Sequence, residues 1–533
     1  MHDVPAIGTV ATACPDFFNF GAEVVDHIAR TADGPALIWA SAEGGEAHYR
    51  FSDIARLSAQ LASAMATAEI AKGDRVIVML PRIPEWQIAM VACLKLGAVP
   101  VPCVEMLTAK DVADRVARSG ARTVITRASH IPKFDSVADR ILLCIAVGDA
   151  PGSEKFHALL ETGDPDFVPA LVAADDPAVL YFTSGSTGQP KGVLHAARAL
   201  CFWRNSAVEW LNLGRGDIIW CTADTGWSKA GTSILFGPWS CGACVLFYDG
   251  PFDPAARLAL IERFGVTVYC ATNTELARVL DADVARFDLS RLRRTVTAGE
   301  ALSPVVADRW LDKVGHRIAE SYGQTETLMT IGMSPGAQYK PGSTGRALPG
   351  NLVAVIDEAG RPMPPGEEGD LALRLPNPQL MLGYWEDAER TTACFRDGTN
   401  GQWFVTGDRG FADSEGYFFH RGRSDDVINS AGYRIGPGEV EDALLAHPAV
   451  AEAAAVGVPD AARGEVVAAF VVLRSGHSAS AALEREIQDS VKATTAPYKY
   501  PRIVRFVTEF PRTPTGKLQR NVLRAWARAE RIQ

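Results

Sequence analysis

Residues 75–103 read RVIVMLPRIPEWQIAMVACLKLGAVPVPC: two short apolar runs flank a longer apolar stretch of helical length, which predicts a strand–helix–strand unit. Downstream the alternation continues in RTVITR at 122–127, AVLYF at 178–182, RLALIERFG at 257–265 with VTVYCA at 266–271, and RTVTAGEA at 294–301. That rhythm predicts an α/β lobe of parallel sheets covered by helices. After about residue 345 it gives way to short strands with turn signals, LVAVIDEAGRPMPPGEEGDLALRL at 352–375 and GQWFVTGDRGFADSEGYFFHRGR at 401–423, in which EAGR and DSEG predict antiparallel hairpin turns. Beyond Arg423 follow a turn, a helix over 439–448, strands over 451–459 and 465–473, a helix over 481–493 and a basic tail. The expected division is a large, multi-lobed domain over 1–423, with parallel sheets and a β-rich subdomain, and a small mobile α+β domain over 424–533.

At 533 residues the chain exceeds what one compact core supports, so two or more domains are expected. Its 47% hydrophobic and 22% charged residues are those of an ordinary globular protein. No window approaches the roughly 18 uninterrupted apolar residues of a membrane span, and the first residues lack the pattern of a signal peptide, so the expected compartment is the cytoplasm. A net charge of -10 argues against a broad nucleic-acid or anionic-membrane footprint. Ten scattered cysteines read as reduced thiols. Cys241 and Cys244 have redox or metal-ligand spacing, but without a second pair or a nearby histidine they read as the entry to a buried strand.

The stretch 180–193, LYFTSGSTGQPKGV, has the chemistry of a polyphosphate cradle. Its glycines let backbone N–H groups approach, Ser184, Ser186 and Thr187 add donors, and Lys191 adds charge. Taken alone, such a loop is equally a surface turn. No G-x-x-x-x-G-K-[ST] match occurs, and no strand-to-helix turn carries G-x-G-x-x-G, which disfavours a P-loop ATPase and a dinucleotide dehydrogenase.

Over nearly its whole length the sequence resembles the adenylate-forming superfamily, which holds acyl-CoA synthetases, adenylation domains and luciferases. The motifs that carry the resemblance appear in order: TSGSTGQPKG at 183–192, TAGEAL at 297–302, SYGQTET at 321–327, TGDRG at 406–410, GRSDDVINSAGYRIGPGEVE at 422–441 and PRTPTGKLQR at 511–520. DTGWSKAGTSILFGPW at 224–239 and APYKYPRIVRF at 496–506 are similar to the medium-chain acyl-CoA synthetase branch.

The resemblance implies an ATP-dependent ligase that joins a carboxylic acid to coenzyme A through an acyl-adenylate, with ATP, Mg²⁺ and CoA as cofactors and a place in fatty acid metabolism. It assigns Thr183, Ser184, Gly185, Ser186, Thr187, Gly188 and Lys191 to the phosphates. Gly299, Glu300 and Ala301, with Tyr322, Gln324 and Thr325, would form the adenine slot, although Tyr322 is equally a core residue. Asp408 would take the ribose hydroxyls and Arg423 the ribose and phosphates. Glu326 would be the Mg²⁺ ligand, with Thr183 nearby, because that ion favours hard oxygen ligands. Lys517 would be the catalytic cation between carboxylate and α-phosphate. Asp425 would be the hinge, and Gly432 would line the thiol tunnel, where a side chain would obstruct passage. Arg463 would meet the nucleotide of CoA, or is a surface arginine.

Trp227 and Gly323 would line the acyl pocket. Acetate-specific relatives carry a tryptophan at the position of Gly323, so glycine there implies a larger acid: medium-chain, branched or aromatic. Lys229, two residues after Trp227, would favour a polar group on that acid. Relatives are often switched off by acylation of the catalytic lysine, which makes a lysine acyltransferase acting on Lys517 an implied partner. Two other readings stay open, a free-standing enzyme that loads a carrier protein and a non-catalytic adenylate-binding regulator. Retention of Glu326, Arg423 and Lys517 argues against the second.

Overall fold

A computed structural model describes residues 5–183, 190–423, 426, 428–430, 433–460, 463–495, 499–512 and 518–529. The chain divides into two units, one of Met1–Leu352 with Pro376–Cys394 and one of Val353–Leu375 with Phe395–Gln533.

The first unit is built on two sheets with long parallel runs. The strand–helix–strand reading holds: strands Arg75–Met79 and Val99–Pro102 pair in parallel and flank the helix Pro84–Leu96. Ile83 is extended, Pro84 opens the helix without forfeiting a bond, and Gly97 closes it at φ +75°. This helix is apolar on all sides because it is buried on all sides, and Trp86 packs against Phe247 of the neighbouring sheet. Strands Thr123–Arg127, Leu143–Val147 and Glu154–Lys155 complete a five-stranded, all-parallel sheet.

The second sheet has nine strands. Its centre runs Ile318–Gln324, Arg294–Ala298, Val268–Cys270, Ile218–Cys221 and Cys244–Asp249, all parallel. Cys244 is the first residue of its strand and Cys241 precedes it, both buried, as their sequence context implied. Indole N–H groups tie helical segments to the sheet, Trp210 to Ala319 O at 3.0 Å and Trp239 to Ala36 O at 3.0 Å.

One expectation fails here. The 178–182 run is not a further parallel strand. Pro177–Thr183 turns back on Lys191–Ala196 as an antiparallel hairpin, in a separate three-stranded sheet completed by Gly383–Tyr384. An apolar run of five residues has the same pattern in either sheet type, and its partner lies just across the loop.

The second unit holds two five-stranded sheets. In one, Val353–Ile356, Gly369–Arg374, Phe395–Gly398, Gly401–Ala412 and Phe418–Arg423 are antiparallel, with turns where EAGR and DSEG stand. The other is dominated by the long hairpin Val450–Asp460 and Gly464–Leu473, against which Ile503–Phe506 runs parallel. The segment expected as a basic tail contains a helix, Arg520–Ala529, whose Leu523 and Ala527 are buried. Its spacing of apolar residues is helical, and the sheet gives that face something to cover. Among the described residues no helix is long and apolar enough to cross a membrane.

Candidate active site

The hairpin places Thr183 directly opposite Lys191, at the two ends of the proposed phosphate loop. Ser184, Gly185, Ser186, Thr187 and Gly188 lie outside the described residues. The Lys191 ammonium meets Glu326 Oε1 at 2.5 Å and donates to Tyr384 Oη at 2.8 Å. Tyr384 in turn donates to the same carboxylate oxygen at 2.7 Å, and Lys191 lies 4.6 Å from its ring centroid. Glu326 is only 5% exposed. Burial raises its pKa, but the Lys191 charge and the two donors outweigh that and hold it below the usual carboxylate range. The Tyr384 hydroxyl is driven upward by burial and by Glu326. Both of these side chains take Oε1, and the residue's own backbone N–H also donates to the carboxylate.

The strand containing Tyr384 and the segment before it hold the Glu326 turn from behind. Met381 N donates to Glu326 O at 2.9 Å, and Gln379 Nε2 donates to Thr327 O at 2.8 Å. Tyr384 and Gln379 escaped the sequence reading: nothing in their spacing marks residues that meet Glu326 only through folding. His195 was missed too. It is fully buried, its Nε2 lies 2.8 Å from Thr325 O, and burial lowers its pKa to about 4, so it is the neutral donor to that carbonyl. Ser228 Oγ meets Thr325 Oγ1 at 3.0 Å, which brings the DTGWSKAG segment to the same turn.

The remaining candidates of this unit stand at the carboxyl edge of the parallel strands. Gly299 follows Ala298 at φ +95°, a turn conformation that a side chain would strain. The Glu300 carboxylate accepts Thr274 N at 2.6 Å and Thr274 Oγ1 at 3.1 Å, so the part of this turn left to face a base is its backbone. Ala301 is exposed, and Tyr322, Gln324 and Thr325 are half-buried. Trp227 is half-buried, and Gly226 before it packs so closely on the backbone of Cys103 and Val104 that a Cβ would overlap it.

Gly323 has a structural reason of its own. It sits at a bulge between Ile318–Gln324 and Leu328–Gly332, and a Cβ there would overlap the Leu328 carbonyl. In this chain a side chain at 323 would require the Leu328 carbonyl to move, whatever the size of the acyl pocket.

In the second unit Asp408 and Arg423 are cross-strand partners, with Arg423 Nη1 3.9 Å from Asp408 Oδ1. Asp408 is 5% exposed, its N–H donates to Thr406 Oγ1 at 3.1 Å, and His420 Nε2 is 3.9 Å from the carboxylate. Arg463 lies in the turn of the long hairpin, where its N–H donates to Asp460 Oδ1 at 3.2 Å. Asp425, Gly432 and Lys517 lie outside the described residues. Asp426, beside the proposed hinge, is held by Arg524 at 2.6 Å, with Arg520 Nε at 3.8 Å.

The AMP-binding enzyme family matches residues 24–385, and the AMP-binding enzyme C-terminal domain matches residues 439–517. The chain is 39% identical over 530 residues to the acyl-coenzyme A synthetase ACSM3, mitochondrial, of Mus musculus, covering 96% of this chain and 90% of that one. The anthranilate CoA ligase AuaEII in complex with anthranoyl-AMP superposes with a TM-score of 0.87 at 29% identity, covering 96% of this chain and 98% of that one. A benzoate CoA ligase from Burkholderia xenovorans LB400 gives 0.82 at 28% identity, with 95% and 100% covered.

Proposed function

The chain belongs to the AMP-binding enzyme family and is an AMP-forming acyl-CoA ligase whose substrates include ATP and CoA, and we propose that its acid is medium-chain, branched or aromatic rather than acetate. The observation that carries the proposal is the placement of the segment that follows Trp227, with Ser228 Oγ 3.0 Å from Thr325 Oγ1 and Lys229 donating to Ala298 O at 2.9 Å. An aromatic wall then borders the turns assigned to the adenylate. Names of the relatives, among them anthranilate and benzoate CoA ligases, support an acid of this size.

In the first half-reaction a carboxylate oxygen bonds to the α-phosphorus and pyrophosphate leaves with its bonding pair. In the second the CoA sulfur bonds to the acyl carbon, AMP leaves, and the thiol proton is released. Bringing anions together is a matter of positioning and charge. Lys191 and Lys517 supply cations, Asp408 and Arg423 hold the ribose, and the backbone at 299–301 with Tyr322 receives the base. Asp425 turns the small domain over 424–533 between the half-reactions, Gly432 admits the thiol, and Arg463 meets the CoA nucleotide.

Glu326 fits Mg²⁺: it is a buried, ionised carboxylate whose Oε2 is not used by Lys191 or Tyr384, and this ion takes one or two carboxylates plus substrate phosphates. Bound there, the ion would neutralise phosphate charge, while Lys191 shares the same carboxylate.

A cytoplasmic location, a role in fatty acid metabolism and control by a lysine acyltransferase acting on Lys517 belong to the same proposal. It is tested by acid-dependent exchange of pyrophosphate into ATP, then CoA-dependent AMP release, over acetate, butyrate, isobutyrate, hexanoate, octanoate and benzoate. Acetate as the best acid would overturn the substrate proposal.

A further inference from the structure

Gln324, Ala298, Cys270 and Cys221 are the last residues of four adjacent strands of the nine-stranded sheet. In open α/β sheets ligands bind outside this carboxyl edge. The first two strand ends carry the turns assigned above to the nucleotide. The other two carry thiols, and Lys229 reaches over them from the segment that contains Trp227.

Lys229 is half-buried and donates one hydrogen bond, to Ala298 O at 2.9 Å. No carboxylate of the described residues lies within ion-pair distance of it. Four acidic groups act on it, the thiols of Cys270 and Cys221 most strongly and then Glu300 and Glu275, and the two carboxylates are committed elsewhere. Glu275 accepts from Tyr269 Oη at 2.8 Å and Thr222 Oγ1 at 2.7 Å and is paired with Arg257 at 3.0 Å. Glu300 is tied to Thr274. Cys221 and Cys270 are fully buried thiols, weak acceptors for an ammonium. Ser228, the neighbouring hydroxyl, is already engaged with Thr325. An ammonium has three donors, and among the described residues two of them have no oxygen to meet. Against a purely hydrocarbon acyl chain they would lose water and gain nothing.

We propose that Lys229 determines specificity by donating to an acceptor oxygen on the acyl portion of the substrate, distinct from the carboxylate that reacts. The acids it selects carry a second carboxylate, a hydroxyl or a keto oxygen on a chain or ring whose apolar part lies along Trp227. This rests on the acyl-CoA ligase reading and on Trp227–Lys229 lining the acyl pocket.

The test measures kcat/KM by AMP release for a matched trio at the chain length the parent uses best: the plain acid, its ω-hydroxy acid and the corresponding dicarboxylate. Parent, Lys229→Met and Lys229→Arg are compared. The parent should favour at least one oxygenated acid by about tenfold or more, and Lys229→Met should lower kcat/KM for that acid relative to the plain acid about ten- to a hundredfold. Lys229→Arg should recover part of the loss. Loss confined to the dicarboxylate identifies a distal carboxylate, and loss shared with the hydroxy acid identifies a neutral oxygen. A parent that prefers the plain acid, or a uniform fall across the trio, overturns the proposal.

A second readout on the parent does not depend on a variant that folds: reductive methylation of Lys229, mapped by mass spectrometry. Protection by an oxygenated acid but not by the plain acid supports the assignment, and equal protection by both, or none, overturns it. Absence of pyrophosphate exchange with any acid would instead count against the ligase reading, and the methylation result would still decide the role of Lys229.

Discussion

Two lysines of the same unit face opposite situations. Lys191 is answered from within the protein: a buried carboxylate at 2.5 Å, a phenol at 2.8 Å, and an aromatic face beneath it. Lys229 has one backbone carbonyl at 2.9 Å and, among the described residues, no other oxygen within hydrogen-bond distance. The end proposed for the nucleotide is thus charge-balanced before any ligand arrives, and the end proposed for the acyl group is not. A site that balances its own charges is built to be stable and to exchange partners when ATP comes. One that leaves a donor unanswered is built to select what enters.

The sharpest limit to this comparison comes from a third lysine. Lys517→Ala is expected to lower adenylate formation by at least about a hundredfold while sparing thioester formation from supplied acyl-AMP, because its charge serves a transition state only in the first half-reaction. Separate single-turnover measurements of the two half-reactions check this. Equal losses would mean that Lys517 acts through the ground-state fold.

Lys191→Met attacks the balanced end directly. It leaves Glu326 buried with only the Tyr384 donor, and we expect a cost of about 2–4 kcal/mol, below the figure for a fully buried pair because the Lys191 side chain keeps some solvent contact. Direction in pH follows from the lowered Glu326 pKa. The stabilisation is fully present above the unfolded pKa of about 4.3 and is lost as pH falls through the lower folded value. The difference in unfolding midpoint between parent and variant should therefore be large at pH 7 and shrink below about pH 4. A difference independent of pH would remove the ion pair from the explanation.

How much of this could be read from the chain varies by region for physical reasons. The unit at 75–103 was legible because strand length, helix length, Pro84 and Gly97 all point one way. Its neighbour at 177–183 was not, since a buried strand looks the same whichever direction its partner runs. Glu326 was legible through its motif, whereas Tyr384 and His195, which fix its surroundings, meet it only across the fold. Gly323 is the instructive case. The resemblance ties its lack of a side chain to the acyl pocket, but the Leu328 carbonyl also sits where a Cβ would go. A Gly323→Trp variant would displace backbone as well as fill a pocket, so acid size is better tested by the substrate panel than by that substitution.

His195 extends the balanced end by one residue. Its pKa is lowered to about 4 by burial, so below the unfolded value of about 6.5 the unfolded chain binds the proton that the folded chain refuses. Folding stability should fall as pH drops from about 6.5 to 4, by up to about 3 kcal/mol from this residue. His195→Gln, which keeps a donor for Thr325 O, should flatten that part of the profile in chemical denaturation. An unchanged slope would assign the acid sensitivity to other groups.

The smallest effect is expected at the unbalanced end, and it decides whether the comparison holds. Lys229→Met removes one hydrogen bond to Ala298 O, which costs stability, and removes a partly desolvated ammonium, which returns it. The unbranched thioether keeps most of the stem packing that the lysine provided. With no carboxylate left unpaired by the change, none of the penalty that follows Lys191→Met applies. We expect a net change within about 1 kcal/mol, in either direction, measured by the same denaturation used for Lys191→Met. A loss as large as that of Lys191→Met would show that Lys229 is already answered within the protein, and the donor assigned to substrate would have to be sought elsewhere along the strand ends.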